Sequence, residues 1–462
     1  MLLGPLTRRV RNIHMIGIGG AGMSGIAEIL INLGFTITGS DLRSTPVTER
    51  LASLGARIFI GHSAANVQTC DAVVYSSAVR EDNPEIVAAR ERKIPVIKRP
   101  EMLAELMRMK YGICIAGTHG KTTTTSMTGQ ALAAGGIDPT IIVGGKVAGF
   151  GGGAKTGQSH YLVLEADEYD RTFLRLSPII AVVTTIELEH LDCYRDLDDI
   201  RDAFTQFVNK VPFFGSAILC IDDRGVQSII PGVERRIITY GLSRQADVRA
   251  ENPEYDGTTS RFDVIADGAS AGRITLAVPG RHNIRNALAA VAVAREMGVT
   301  FETVARALSE FRTVERRFEI KGEAGGVMVV DDFAHHPTEI EASLDGARGG
   351  FDRRIVAVFQ PHLYSRTRDF HEEFGRAFMN ADVLVVTDVY PARETPLAGV
   401  TGKLVADDAA AAGHRSVHYI ESRGDIPKAL LGIVRPGDMV ITFGAGDINR
   451  AGMELLEMMR TQ

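Results

Sequence analysis

The sequence predicts an α/β protein of three domains, each a mostly parallel sheet with helices on its faces. Three observations predict it. A glycine-rich strand-turn-helix opens the chain, a second one of a different kind stands near residue 117, and after residue 326 strands alternate with helical stretches to the end. At 462 residues, with 45% hydrophobic and 23% charged side chains, the chain is globular in composition and too long for one core.

The first domain is expected over 1–110. Asn12-Ile-His-Met-Ile16 reads as a strand, followed by Gly17-x-Gly19-x-x-Gly22, a helix ending near Gly34, and a second strand, Thr36-Ile-Thr-Gly-Ser-Asp41. Alone this is the Rossmann dinucleotide fingerprint, with Asp41 where a ribose-binding carboxylate stands, and a dehydrogenase is the obvious reading. The same chemistry serves any diphosphate, because glycines and a helix N-terminus hold phosphate while an acid holds a sugar hydroxyl. Asp71-Ala-Val-Val-Tyr-Ser-Ser-Ala78 reads as a later parallel strand whose end presents Ser76 and Ser77. Arg8, Arg9 and Arg11 precede an apolar stretch, but its glycines make it a strand and loop rather than a signal segment.

The central domain is expected over 111–318. Tyr111-Gly-Ile-Cys-Ile-Ala116 is an apolar strand that breaks at Gly117 and restarts as the threonine-rich Lys121-Thr-Thr-Thr-Thr125. This is a shortened P-loop, since Ile115 stands where the usual pattern has its first glycine. Gly117, Thr118, His119 and Gly120 form the cradle, Lys121 supplies a charge for the β/γ-phosphates, and Thr122, followed by Thr123, supplies a hydroxyl for Mg²⁺. His160-Tyr-Leu-Val-Leu-Glu165 is a buried strand ending in a carboxylate, which makes Glu165 the expected Mg²⁺ ligand. The strand Ile179 to Thr185 delivers Glu187, Glu189, His190 and Asp192 to the same edge, either as a solvated acidic loop or as groups that meet cations. Farther on, His282, Asn283 and Asn286 cluster at the start of a helix. Asn283 alone could cap it, whereas the three together suit the edge of a purine.

The last domain is expected over 319–462 and is again Rossmann-like. Its strands end in polar clusters: Asp331 and Asp332 before Phe333-Ala-His-His336, then Gln360-Pro-His-Leu-Tyr-Ser-Arg366. Ligands of open parallel sheets bind beyond the carboxyl ends of the strands. Two histidines beside two acids and Arg366 suit a small zwitterion or a phosphate.

Net charge of −6 and the absence of a basic run exclude a nucleic-acid partner. The four cysteines have no metal-like or paired spacing, as suits a reducing cytoplasm. No apolar run approaches the ~18 residues a membrane span needs. Monomer and dimer both stay open.

Ala116-Gly-Thr-His-Gly-Lys-Thr-Thr123, Glu165-Ala-Asp-Glu168, His282-Asn-x-x-Asn286, Arg316-Arg-Phe318 and Asp331-Asp-Phe-Ala-His-His-Pro337 resemble the motifs of the Mur ligases, in this order and over the whole chain. Within the family, the first glycine-rich stretch and Phe359-Gln-Pro-His-Leu-Tyr-Ser-Arg-Thr367 are most similar to members that join L-alanine to UDP-N-acetylmuramate. The resemblance implies an ATP- and Mg²⁺-dependent ligase of peptidoglycan precursor synthesis that works through an acyl phosphate. It implies that Lys121, Glu165, His190, Asp332, His335 and Arg366 serve catalysis, with a metal on Thr122 and Glu165 and a second on His190. It places His282, Asn283 and Asn286 near the adenine, Arg317 and Asp332 near the nucleotide, and His335 and Arg366 near the amino acid. Gly19, Gly20, Ser40, Asp41 and Ser76 are then expected to face the uridine diphosphate. Three positions depart from the family. The helix from Asp198 to Val208 lacks the lysine that several members carbamylate, and Leu363 and Phe333 replace an Arg and a Tyr found in some alanine-adding members. Glu165-Ala-Asp-Glu-Tyr-Asp170 also resembles a related ligase that recycles a murein tripeptide. A nucleotide-binding protein without chemistry would need the P-loop but not the crowded strand ends of the last domain.

Overall fold

The computed structural model describes residues 10–76, 78–147, 152–191, 193–312, 314–392 and 394–461. Arg8, Arg9, Ser77 and Asp192 lie outside the described residues. The described residues form three sheets. The first is wholly parallel, with Asn12–Ile16 at its centre, Thr36–Asp41 and then Arg57–Ile60 on one side, and Ala72–Tyr75 and then Val96–Lys98 on the other. This order reverses at the central strand, which puts a crevice at its carboxyl end. Gly17 turns there with φ of 72°, its N–H bonded to the Ser40 carbonyl at 2.8 Å, and the helix Ala21–Asn32 follows.

The second sheet has ten strands. Its parallel core sets Tyr111–Ala116 between Tyr161–Glu165 and Ile180–Val183, with Ser216–Cys220 beyond. All four are apolar runs, as strands covered on both faces must be. Phe173, Phe204 and Phe207 are fully buried, the first two edge to face at 5.1 Å. Val248–Asp256, Thr259–Ala266 and Ala269–Leu276 extend the sheet at one end.

The third sheet opens with an antiparallel pair, Glu319–Ala324 on Val327–Asp332, and continues in parallel through Asp438–Phe443, Arg354–Phe359, Val383–Val386 and Val417–Tyr419. The helix Pro337–Gly350 begins at its proline, whose missing N–H costs nothing there. By compactness the chain forms two units. One is 1–251 with 263–274 and 285–311; the other is 252–262 with 275–284 and 312–462. Among the described residues no helix is long and apolar enough to cross a membrane.

Candidate active site

Gly117, with φ of 133°, and Gly120, with φ of 81°, carry the loop between strand and helix, and the helix Lys121–Ala134 starts directly after. A Cβ on Gly117 would lie 2.0 Å from Thr184 Oγ1, and one on Gly120 would lie 2.7 Å from Asn286 Oδ1. The loop is tied to the neighbouring strand end: the Thr118 N–H donates to the Thr185 carbonyl at 2.9 Å, the His119 N–H to Thr185 Oγ1 at 3.0 Å, and the Glu187 N–H to Thr118 Oγ1 at 2.9 Å. His119 Nε2 lies 3.3 Å from Glu187 Oε2. Thr123 sits half-buried in the first turn of the helix.

Lys121 Nζ turns back over this loop, donating to the Gly117 carbonyl at 2.6 Å and to Glu168 at 2.9 and 2.8 Å. Burial opposes the ammonium charge, but the carboxylates of Glu168, Asp167 and Glu165 outweigh it and hold the Lys121 pKa above its ordinary value. Thr122 Oγ1 lies 3.0 Å from both oxygens of Glu165, which also accepts the Gly144 N–H at 2.7 Å. A hydroxyl against a carboxylate at the end of a neighbouring parallel strand is the donor set a hard cation takes, oxygen throughout.

The expected set of Thr122, Glu165 and His190 divides in two. Thr122 and Glu165 touch, whereas His190 Nε2 lies 3.5 Å from Glu168 Oε1 and 3.9 Å from Glu189 Oε2. One ligand atom each from Glu168, Glu189 and His190 fall within 4.8 Å of one another. Burial disfavours the imidazolium, but the Glu168 hydrogen bond and the charges of Glu189 and Glu168 prevail and raise the His190 pKa. The backbone of His190 holds φ of 57°, and its carbonyl accepts the N–H groups of Cys193 and Tyr194, which closes a tight turn around it. Glu168 is therefore the residue that joins Lys121 to His190, a part the sequence reading assigned to no residue. Its signal was present in Glu165-Ala-Asp-Glu168, a second acid just past the strand end.

The helix Arg281–Glu296 carries His282, Asn283 and Asn286 in its first turns. Asn286 Oδ1 accepts the Thr124 hydroxyl at 3.1 Å and thereby touches the P-loop helix. Asn283 Nδ2 donates to the Pro279 carbonyl at 2.7 Å, a local tie where a base contact was expected.

At the glycine-rich N-terminal loop lies a cleft of about 520 Å³, within the range of small-molecule sites, lined by Gly17, Gly19, Gly20, Asp41, His62 and Ser76 among others. Asp41 Oδ2 accepts the Gly19 N–H at 2.9 Å. Ser40 corrects the sequence reading: it is fully buried and its hydroxyl donates to Glu85 at 2.6 Å. Successive residues of a strand point to opposite faces, so with Asp41 on the cleft Ser40 turns inward. His62, Arg43 and Arg80 line the same cleft and were not foreseen.

In the C-terminal unit Arg316 Nε donates to Asp331 at 2.9 Å and its terminal nitrogens to the carbonyls of Gly444 and Gly446. Asp331 is nearly fully buried and also accepts the Thr442 hydroxyl at 2.8 Å, so it braces the fold rather than meeting a ligand. Asp332 accepts the Ser343 hydroxyl at 2.7 Å and the Ala334 N–H at 3.0 Å. Burial pushes its pKa up to about 6, against the pull of Arg317. Arg317 reaches Glu339 at 3.4 Å and lies over the Phe333 ring at 5.4 Å. His335 Nδ1 lies 2.9 Å from the Phe333 carbonyl, and its ring meets Phe333 and His362 edge to face. His362 stacks on Tyr390 with centroids 5.9 Å apart. His336 is buried, its ring edge to face with Phe370. Arg366 is half-buried in the first turn of Tyr364–Ala377, after Leu363 with φ of 71°.

Three family models match the chain in sequence order: the Mur ligase family catalytic domain over 12–111, the Mur ligase middle domain over 115–294 and the Mur ligase glutamate ligase domain over 316–446. The chain belongs to the Mur ligase family. This Mur ligase is 58% identical to UDP-N-acetylmuramate--L-alanine ligase of Salinibacter ruber, across 98% of its own length and 96% of the relative's. Among solved structures, the UDP-N-acetylmuramate-alanine ligase MurC of Thermotoga maritima is similar with a TM-score of 0.80 and 30% identity, over 97% of this chain and 99% of that one. A murein peptide ligase from Psychrobacter arcticus aligns with a TM-score of 0.70 and 27% identity, over 97% and 98%. The Mur ligase fold accounts for the three sheets, and membership accounts for a chain that carries both a P-loop and a glycine-rich crevice that is no dehydrogenase's.

Proposed function

We propose that the protein ligates L-alanine to the lactyl carboxylate of UDP-N-acetylmuramate at the expense of ATP, giving UDP-N-acetylmuramoyl-L-alanine, ADP and phosphate, in the cytoplasmic synthesis of peptidoglycan precursor. The observation that carries this reading is the near-full-length identity to an L-alanine-adding ligase. The domains follow as 1–110 for the UDP-sugar, 111–318 for ATP and 319–462 for the amino acid.

The lactyl carboxylate attacks the γ-phosphorus, the bond to the β-phosphate oxygen breaks, and ADP departs. The L-alanine nitrogen then adds to the carbonyl carbon of the acyl phosphate, loses a proton, and the tetrahedral intermediate expels phosphate. Carboxylate and triphosphate repel, so charge compensation dominates the first step. Lys121 supplies it by exchanging Glu168 for phosphate oxygens, with Gly117, Thr118, His119, Gly120 and Thr123 forming the cradle. Mg²⁺, when bound by Thr122 and Glu165, supplies further neutralisation of the phosphates, and His190 would hold a second cation. His282, Asn283 and Asn286 receive the adenine, and Arg317 and Asp332 the remainder of the nucleotide. His335 and Arg366 orient the amino acid, Arg366 pairing with its carboxylate. Gly19, Gly20, Asp41 and Ser76 hold the diphosphate and ribose.

A second reading, ligation of a murein tripeptide to the same sugar nucleotide, is supported by the murein peptide ligase likeness, which is weaker than the likeness to the L-alanine-adding enzyme. Phosphate release from ATP and UDP-N-acetylmuramate with L-alanine or with tripeptide separates the two.

A further inference from the structure

Beneath the N-terminal cleft, a site proposed above for an anion, sits a carboxylate with no exposure at all, Glu85. Its Oε2 accepts the Ser40 hydroxyl at 2.6 Å and lies 3.1 Å from His62 Nδ1; its Oε1 accepts Asn66 Nδ2 at 2.5 Å and the Ser63 N–H at 3.4 Å, with His14 Nε2 at 3.6 Å. An ionised carboxylate only accepts hydrogen bonds. His62 must therefore place its proton on Nδ1, which in the neutral ring leaves Nε2 as an acceptor. The ring lines the cleft, so that acceptor is what a ligand meets.

The sheet order says which part of the ligand this is. The glycine loop follows the central strand, Asp41 ends the next one out, and His62 follows the edge strand Arg57–Ile60. A nucleoside diphosphate anchored by its phosphates on the glycines and by its ribose on Asp41 brings its base to His62. Uracil presents a ring N–H at position 3, while cytosine presents a bare nitrogen there.

We infer that Glu85, acting through the tautomer it imposes on His62, makes this cleft select uracil over cytosine. This specificity rests on the proposed uridine-diphosphate site. Glu85 is a positioning residue, and His62 the group that reads the base. A neutral His62 facing cytosine would set one acceptor against another and leave both unpaired.

Calorimetric titration of the full-length protein with UDP and with CDP tests it. Wild type should prefer UDP by about tenfold or more, as an unmade buried hydrogen bond demands. In His62→Gln, whose amide can turn either a carbonyl or an amino group to the base, the preference should fall to within about twofold. Glu85→Gln, which can turn its amino group to Nδ1 and reverse the tautomer, should lose it in the same way. A wild type without preference, or a folded His62→Gln variant that keeps the whole of it, overturns the inference. Failure of UDP-N-acetylmuramate to turn over would instead sink the ligase reading, because the UDP to CDP ratio is a binding measurement.

Discussion

Lys121 Nζ bonds both carboxylate oxygens of Glu168, at 2.9 and 2.8 Å, across 47 positions of sequence. The pair is almost buried, so each member is the other's principal compensation. Breaking such a pair costs more than the pair contributes, because the remaining charge stays in low dielectric. Glu168→Gln should destabilise the ligand-free protein by about 3 kcal/mol in urea unfolding. The double variant Lys121→Met with Glu168→Gln should recover most of that loss. Equal destabilisation by the single and the double variant would show that the pair is not coupled.

Lys121→Ala removes the charge proposed to meet the phosphates and should lower kcat by about 10²–10³-fold. Steady-state kinetics at saturating ATP check this. A change confined to the KM for ATP would mean that Lys121 binds the ground state only.

Glu165 and Thr122 touch, and the proposed metal lies on them. Glu165→Gln should raise the Mg²⁺ concentration for half-maximal activity by about tenfold or more. Magnesium titrations at fixed ATP read this directly, and an unmoved midpoint would place the cation elsewhere.

Gly117→Ala meets Thr184 Oγ1 at 2.0 Å and the Thr185 nitrogen at 2.9 Å, at φ of 133°. Gly34, at φ of 90°, has open space where its Cβ would stand. Gly34→Ala should therefore cost only backbone strain, of order 1 kcal/mol, and Gly117→Ala clearly more. Thermal or urea denaturation of the two variants compares them.

Burial opposes the charge on Glu85, but His14 beside it and hydrogen bonds from Ser40 and Asn66 prevail and bring its pKa down to about 2 from 4.5. A carboxyl with a lowered folded-state pKa contributes its stabilisation in full above the unfolded value and loses it as pH falls through the folded value. The drop from 4.5 to about 2 corresponds to about 3 kcal/mol, lost between pH 4.5 and 2. Glu85→Gln should flatten the acid limb of the stability curve in that window. An unchanged slope in the variant would assign it to other carboxylates.

What was legible in the sequence was local. The two glycine turns, the strand ends and their acids are set by residues within one turn of each other, where conformation follows residue type. The pairing of Lys121 with Glu168 was not, because it depends on which strands lie side by side, and nothing in the local sequence marks Glu168 rather than Glu165 as the partner of the P-loop lysine. Ser40 is a different failure. Strand alternation sets it opposite Asp41, so its burial was written in the pattern and missed. Glu85 carried no signal at all: a glutamate just after a proline in a helix's first turn reads as a solvated residue complementing the helix dipole. Only the meeting of Ser40, His62 and Asn66 around it shows otherwise.

Ligation of L-alanine is read out by phosphate release from Mg-ATP and UDP-N-acetylmuramate with L-alanine, with L-alanyl-γ-D-glutamyl-diaminopimelate, or with no amine. Release should depend on L-alanine and be accompanied by a nucleotide-sugar product heavier by one alanyl residue. Release with the tripeptide alone, or equal release in all three mixtures, would contradict L-alanine ligation.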